Sequence, residues 1–289
     1  MNETTPTAPK VRITKNGPYI VSGNLTLGEE IIGADSAGES VQWEHGQKHT
    51  HEMQYALCRC GHSSHKPFCD STHKKIGFDG TETANRAPYR EQAKVMKGPT
   101  MTLTDVESLC ASGRFCDPNG SVWKLVNETD NSAARAHFVR QTCDCPSGRL
   151  MAWDNATGEP IEPAYPPSIG LVEDPVNACL GPIWLRGGVQ VVAADGFDYE
   201  VRNRMTLCRC GASNNKPSAT ARMFRLVSTT KRESAALIQT EGRWGRTNAE
   251  TDKPSQSVAS TPQRTFPRRR IPSSCRLELD RPAVPGPGR

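Results

Sequence analysis

The chain has 289 residues, of which 35% are hydrophobic, with 24 glycines and 22 prolines. This composition favours small, loop-rich modules with modest cores over a single large enzyme barrel. The sequence has no apolar signal segment at its start and no apolar run of about 18 residues, so we expect a cytoplasmic protein with no membrane partner. Eleven cysteines in a reducing compartment favour metal or redox chemistry over disulfide bonds.

The net charge of +5 comes from the C-terminal part of the chain. Residues 218–289 contain 14 Lys and Arg against 6 Asp and Glu, which leaves 22 against 25 in residues 1–217, a balance of −3. Binding to nucleic acid requires basic residues clustered on a structured surface. We therefore expect no nucleic-acid partner.

Short strands, cysteine loops and one helical segment alternate along residues 1–217. The first predicted strand covers Tyr19–Val21, and a cysteine loop with a short helix after it follows. Thr104 and Glu107 have the spacing of a capping box that opens a helix, and a second helix is predicted over Ala133–Arg140. Val189–Val192 predicts a later strand. The fold class predicted from these elements is α+β, with β-rich modules on either side of a helical, cysteine-containing segment.

The chain contains the same cysteine loop twice. The segment YALCRCGHSSHKP at 55–67 returns as MTLCRCGASNNKP at 205–217, with 8 of 13 positions identical. An internal repeat of this kind indicates two related modules. We predict an N-terminal module over 1–97, a cysteine-containing middle segment over 98–155, a truncated second module over 156–217 and a tail over 218–289.

The second copy ends abruptly after Pro217. Composition then shifts to Ser, Thr, Pro and Arg, which predicts a disordered tail. Codons can be written that continue the second copy with the motif of the first. When one base is deleted from them, they encode the residues from Ser218 to Lys231. We interpret the tail as the product of a reading-frame slip, and the alternative is a genuine divergent tail. The nucleotides around Lys216 decide between the two.

The first loop spaces its candidate ligands as Cys58-x-Cys60-x8-Cys69-x3-His73. Thiolates bind soft and borderline metals, and imidazole suits zinc, copper and iron. Cys69 and His73 are one helical turn apart, and Asp70 suits the first turn of such a helix. Three sulfurs and one nitrogen fit either structural zinc or a [2Fe-2S] cluster, and buried thiols beside a surface histidine are the remaining alternative.

The loop resembles the CDGSH iron–sulfur domain, whose pattern is C-x-C-x2-[ST]-x3-P-x-C-D-G-[SAT]-H. The resemblance covers residues 50–80 directly and residues 181–217 through the repeat. Ser71 stands where the family has Gly, which costs stability if that position requires a positive φ. The matching positions are Cys58, Cys60, Ser63, Pro67, Cys69, Asp70, Thr72 and His73.

The resemblance implies a [2Fe-2S] cluster bound by Cys58, Cys60, Cys69 and His73, in a protein of electron transfer or cluster transfer. A histidine ligand raises the reduction potential and can take up a proton. The implied partner is a redox or cluster-acceptor protein, with a homodimer through the CDGSH modules as a further expectation. We expect no enzyme activity, and the alternative function is a zinc-stabilised interaction module without a redox role.

The second copy keeps Cys208 and Cys210 but has Ala219 and Met223 where the other two ligands would stand. We expect this degenerate half-site to hold no cluster. CDGSH domains form twofold pairs, so the incomplete second copy predicts weakened folding or pairing with another chain.

The middle segment contains Cys110, Cys116, Cys143 and Cys145 in the order C-x5-C…C-x-C-P-S-G. This pattern is similar to a divergent ferredoxin-type single-cluster domain, which implies a second iron–sulfur cluster bound by these four residues. Zinc and a set of unliganded thiols are the alternatives.

The remaining candidate ligands are isolated. Cys179 and Cys275 have no partner nearby in the sequence and are predicted to be unliganded thiols. His45, His49 and His51 lie within EHGQKHTHE, which we interpret as a surface loop or linker without metal.

Overall fold

The computed structural model describes residues 8–220. Among these residues thirteen strands form three sheets, and strand content exceeds helix content, which confirms a β-dominated mixture of strands and helices. The strands are β1 (Lys10–Ile13), β2 (Tyr19–Ser22), β3 (Thr26–Ala34), β4 (Ser40–His49), β5 (Tyr55–Leu57), β6 (Lys94–Lys97), β7 (Met101–Asp105), β8 (Leu150–Asp154), β9 (Pro160–Ile161), β10 (Ser168–Asp174), β11 (Cys179–Arg186), β12 (Gln190–Val192) and β13 (Arg204–Leu207). The helices are α1 (Thr72–Lys75), α2 (Tyr89–Gln92), α3 (Val122–Leu125) and α4 (Ser132–Cys143), with 3-10 turns at Glu107–Leu109, Pro118–Gly120 and Val126–Glu128.

Two of the sheets combine strands from both copies of the repeat. The first has the order β12-β1-β2-β5, and the second has the order β13-β11-β10-β3-β4. The copies join by parallel pairing, with Val11 opposite Val191 and Gly28 opposite Gly170. The two copies therefore pair within one chain. Each of these two sheets contains strands from residues 1–97 and from residues 156–217. The predicted boundaries after residues 97 and 155 remain predictions.

One hydrophobic core contains residues from both of these sheets. Tyr19 and Val21 are fully buried while Ile20 between them is half-buried, which is the alternation of a strand with one face inward. Ile169 and Leu207 come to the same core from the second sheet. The predicted strands at 19–21 and 189–192 are confirmed as β2 and β12.

The middle segment has its own sheet and its own core. Its strand order is β6-β7-β8-β9, with antiparallel pairing throughout. Helix α4 packs Phe138 against Met101 and Leu150 of this sheet. Asn131 caps α4, because its Oδ1 accepts hydrogen bonds from Ala133 N at 2.9 Å and Ala134 N at 3.2 Å. The predicted helix over Ala133–Arg140 is confirmed.

The helix predicted from Thr104 and Glu107 is absent from the described residues. Thr104 lies in β7, and Glu107 begins a 3-10 turn of three residues. Met101 and Leu103 are fully buried against β8, so strand pairing and the core decide this segment, and the capping-box prediction was wrong.

Several predictions concern residues outside the described part of the chain. The predicted disordered tail begins at Ser218, but residues 218–220 are described and Ala219 N donates to Thr206 O, so the tail begins later than predicted. The rest of the tail, the frame slip, Met223 and Cys275 concern residues 221–289, which the structure does not describe. Within residues 8–220, no helix has the length and apolarity that a bilayer crossing requires.

Candidate metal centres

The first cysteine loop, residues 57–73, is closed by backbone hydrogen bonds. Cys58 N donates to Pro67 O at 2.8 Å, and Cys69 N donates to Ala56 O at 2.9 Å. Ser63 Oγ donates to Phe68 O at 2.6 Å across the turn. The returning segment therefore lies beside the end of β5, and it brings the later pair of ligands towards the earlier pair.

The four predicted ligands form two pairs at chelating distances. Cys58 Sγ lies 3.8 Å from Cys60 Sγ, and Cys69 Sγ lies 3.4 Å from His73 Nδ1. Bonds of about 2.3 Å to sulfur and about 2.0 Å to nitrogen at a tetrahedral metal place two sulfurs about 3.8 Å apart and a sulfur and a nitrogen about 3.5 Å apart. Each pair thus matches the spacing of two ligands on one tetrahedral metal.

The loop concentrates ionisable thiols in a buried place. Cys58 and Cys60 are buried, and Cys69 is half-buried. Burial raises the pKa of Cys60, and the neighbouring Cys58 and Cys69 add to that rise. Three thiolates at this position need a positive charge, which a bound metal supplies.

His73 directs its two ring nitrogens to different surroundings. Nδ1 faces Cys69, whereas Nε2 lies on the side of Gly17, where an added Cβ would be 3.6 Å from it. The residue is 9% exposed. One nitrogen is therefore placed for a metal and the other remains for a proton.

Asp70 stabilises the loop from a position just before the helix. Its carboxylate accepts hydrogen bonds from Ser64 N at 2.8 Å and Thr72 N at 3.0 Å. These bonds hold the pKa of Asp70 well below its usual range. Asp70 was expected in the first turn of the helix, but α1 begins at Thr72, so that detail was wrong.

Ser71 has a φ of 69°, a left-handed conformation that favours glycine. This meets the condition under which a serine at the Gly position of the family was expected to cost stability. Its side chain makes no capping hydrogen bond. We expect Ser71→Gly to raise the free energy of unfolding by about 1 kcal/mol. Urea denaturation of the wild type and Ser71→Gly measures this difference. Equal or lower stability of Ser71→Gly would contradict the cost attributed to the positive φ.

The second cysteine loop, residues 207–219, repeats the backbone of the first. Cys208 N donates to Pro217 O at 2.8 Å, and Ala219 N donates to Thr206 O at 3.1 Å. Ala219 therefore occupies the place that corresponds to Cys69, and it is fully buried. Cys208 Sγ and Cys210 Sγ remain 3.6 Å apart.

The two thiols of the second loop share one hydrogen bond. This bond lowers the pKa of Cys208 to about 6 and raises that of Cys210. The second loop thus keeps the geometry of one ligand pair, Cys208 and Cys210. In its described residues, Ala219 stands where the first loop has Cys69.

The two loops contact each other reciprocally. A Cβ on Gly61 would lie 2.6 Å from Cys210 O, and a Cβ on Gly211 would lie 2.6 Å from Cys60 O. This close approach is possible only because both positions lack a side chain.

We expect Gly61→Ala to destabilise the chain by about 1–3 kcal/mol more than Gly196→Ala does. Gly196 is the matched control, because its φ of 88° is close to the 82° of Gly61 while its added Cβ has no neighbour within 4 Å. Both variants carry the same kind of backbone strain, so thermal or urea unfolding isolates the contact between loops. Equal losses in the two variants would mean that the contact is unimportant.

Three of the four middle cysteines lie near one another. Burial raises the pKa of Cys116, and the neighbouring Asp117, Cys145 and Cys110 raise it further. Cys143 is fully buried in the core of the middle segment, and its Sγ contacts Ile161 O at 3.7 Å. We call Cys110, Cys116 and Cys145 the middle site. Cys143, predicted as the fourth ligand, ends α4, and its role as a ligand stays a prediction.

Two arginines lie beside the middle site, Arg149 half-buried and Arg204 fully buried, and the sequence patterns did not identify them. Arg149 forms a two-point ion pair with Asp105, at 2.6 Å and 2.9 Å. Burial lowers the pKa of Arg149, but Asp105 and Cys110 raise it by more. The side chain of Arg204 is fully buried, which lowers its pKa, but Glu162 and then Cys145 raise this pKa by more. Each of these arginines is paired with a carboxylate, so the two ion pairs place no net charge beside the middle site.

A second unpredicted feature is the arginine inside each C-x-C. Arg59 is 1% exposed, donates to Gly80 O and stacks on Tyr19 and Phe78. Arg209, its counterpart, donates to Gly181 O at 2.6 Å. The repetition of C-R-C in both copies was the signal available in the sequence.

Two of the three histidines of EHGQKHTHE do not lie in a loop as predicted, whereas His51 follows the end of β4. His45 and His49 belong to β4, because this segment pairs with β3 in the register Glu30–His45 and Leu27–His49. His45 Nδ1 lies 2.9 Å from Glu30 Oε2. Across residues 8–220, no three His, Cys, Asp or Glu side chains are close enough to hold one metal ion.

Cys179 begins β11, whose Gly181 O accepts a hydrogen bond from Arg209 of the second cysteine loop. Burial is the main cause that raises its pKa to about 11. Its position in a strand gives it a packing role.

Comparisons with protein families give two kinds of match. A family model described as an iron-binding zinc finger of CDGSH type matches residues 16–74 and 180–218. A model described as a divergent 4Fe-4S mono-cluster matches residues 96–155. No curated protein and no solved structure matched the chain. The matches confirm both resemblances and their order along the sequence.

Proposed function

With two CDGSH-type regions around a divergent 4Fe-4S mono-cluster region, the chain is an iron–sulfur protein, and we propose that its first loop binds a [2Fe-2S] cluster for electron transfer or cluster transfer. The ligands are Cys58, Cys60, Cys69 and His73. The observation that carries the proposal is the presence of two ligand pairs, at 3.8 Å and 3.4 Å, in one closed loop. Two irons with two protein ligands each require this arrangement.

The bound cluster supplies one-electron redox chemistry. The chain provides an insulated side and an open side, because Cys58 and Cys60 are buried whereas Cys69 is half-buried and Lys74 of α1 is exposed. A redox or acceptor protein would approach from the side of Cys69 and His73. This asymmetry supports transfer to a partner rather than catalysis on a small substrate.

His73 gives that open side its distinct chemistry. As a neutral ligand it contributes less negative charge than a thiolate does, which raises the reduction potential. Its Nε2, on the side of Gly17, can hold a proton, so reduction or release of the cluster becomes linked to pH.

The middle site is proposed to hold a second iron–sulfur cluster. Cys110 and Cys145 lie near enough to Cys116 to raise its pKa, and the ion pairs Arg149–Asp105 and Arg204–Glu162 lie beside these cysteines. Potentials of such clusters depend on charge and on solvent exposure, so the arginine and the carboxylate of each ion pair act on the potential in opposite directions.

Anaerobic purification of the full chain tests the proposal at the first loop. We expect red-brown protein with acid-labile sulfide, and loss of the [2Fe-2S] absorbance in Cys69→Ser. Cys179→Ser is the matched control, since Cys179 is also a thiol but lies in β11, and this variant should keep the spectrum. Colourless wild-type protein that contains zinc would support the interaction module instead and reject the cluster.

A further inference from the structure

Arg204 connects the second copy of the repeat to the middle segment. It begins β13, the strand that leads into the second cysteine loop, and its side chain is fully buried. Its guanidinium donates from Nη1 to Thr142 O at 2.6 Å, Cys143 O at 3.0 Å and Cys145 O at 2.8 Å. One residue thus binds three carbonyls of the segment 142–145, which contains Cys145.

The position of these carbonyls explains why a cation lies here. Helix α4 ends at Cys143, so the carbonyls of its last turn have no partner within the helix and carry partial negative charge. Arg204 satisfies them in the protein interior. Leu150 O, at the start of β8, accepts a further bond from Nη2 at 3.3 Å, so both ends of the loop 143–150 are attached to the same group.

Glu162 compensates the charge of Arg204. Its two oxygens accept from Arg204 Nε at 2.8 Å and Nη2 at 2.7 Å. Arg202 adds a contact to Gly148 O, whose residue has a φ of 58°. A Cβ on Gly148 would lie 2.9 Å from Arg204 O, so the turn lies directly against the strand.

We propose that Arg204 is a positioning residue that fixes the Cys145 loop and, with Glu162, sets the reduction potential of the middle site. The inference rests on the proposed iron–sulfur cluster at Cys110, Cys116 and Cys145. A buried positive charge favours the reduced, more negative state of such a group, and a buried carboxylate opposes it. Substituting either partner therefore shifts the potential, in opposite directions.

Redox titration of the full holoprotein, followed by electron paramagnetic resonance, tests this. We expect Arg204→Gln to lower the midpoint potential of the middle site and Glu162→Gln to raise it. The signal of the first loop is the internal control and should not move. Arg209→Gln is the matched variant, because Arg209 is also an arginine paired with a carboxylate, Glu173 at 2.9 Å, and only 10% of its side chain is exposed, but it contacts neither Cys145 nor its turn.

A purely structural role predicts shifts in the same direction for both variants, or none, and either result overturns the inference. If Arg204→Gln does not fold, Glu162→Gln alone tests the sign, and Arg204→Lys should keep the potential closer to wild type because it keeps the charge. A holoprotein without a second iron–sulfur signal would reject the proposed cluster at the middle site and the inference with it. A second iron–sulfur signal whose midpoint potential is the same in the wild type and in both variants rejects the inference but not the proposed cluster.

Discussion

The double variant Ala219→Cys with Met223→His is expected to add about one [2Fe-2S] cluster per chain. Ala219 takes the place of Cys69 in a loop whose backbone hydrogen bonds match those of the first copy, and Cys208 and Cys210 keep their 3.6 Å spacing. Position 223 follows 219 by the same four residues that separate His73 from Cys69. Iron, sulfide and visible absorbance per chain measure the gain.

A control for this variant places the same new side chains differently. Ala212→Cys with Met223→His adds a cysteine at the position that corresponds to His62, which is not a ligand position. We expect no gain of iron or sulfide in the control. If Ala219→Cys with Met223→His also gains nothing, the second loop is not a preformed half-site.

His73→Cys is expected to lower the reduction potential of the first loop by on the order of 100 mV and to remove its pH dependence. The thiolate adds negative charge that disfavours the reduced state, and it removes the imidazole Nε2 that takes up a proton. Redox titration at several pH values measures both effects.

His65→Asn is the control for His73→Cys. His65 lies in the same loop, but its side chain is 79% exposed and its nearest charged partner is Asp70, at 3.8 Å. The potential and its pH dependence should stay at the wild-type values in this control. A pH profile of His73→Cys that matches the wild type would contradict the role given to the imidazole.

Local spacing in the sequence predicted the first loop well, because its geometry is local. Cys58 and Cys60 are two residues apart, and Cys69 and His73 are separated by one turn, so backbone geometry alone brings each pair together. The positive φ at Ser71 was also foreseeable, since a Gly position of the pattern marks a left-handed residue.

Long-range pairing was outside the reach of such reasoning. Val11 pairs with Val191 and Gly28 pairs with Gly170, contacts that no period or turn in either copy encodes. The same limit applies to Thr104, where burial beside β8 overrides a helix-capping pattern.

The surroundings of the middle site could not be predicted from ligand spacing. Cys143 and Cys145 are two residues apart, like Cys58 and Cys60, yet Cys143 ends a helix and packs in the core. Arg204 is 59 residues from Cys145 in the chain, and only the fold brings it to that turn.

The most direct test of the account is electron spin echo spectroscopy of the reduced full chain, which detects nitrogen bound to a paramagnetic cluster. We predict a strongly coupled nitrogen signal from His73 on a two-iron cluster, retained in His65→Asn and lost in His73→Cys. A reduced [2Fe-2S] spectrum without coupled nitrogen, or one in which the coupling persists in His73→Cys, would contradict ligation by three sulfurs and one imidazole.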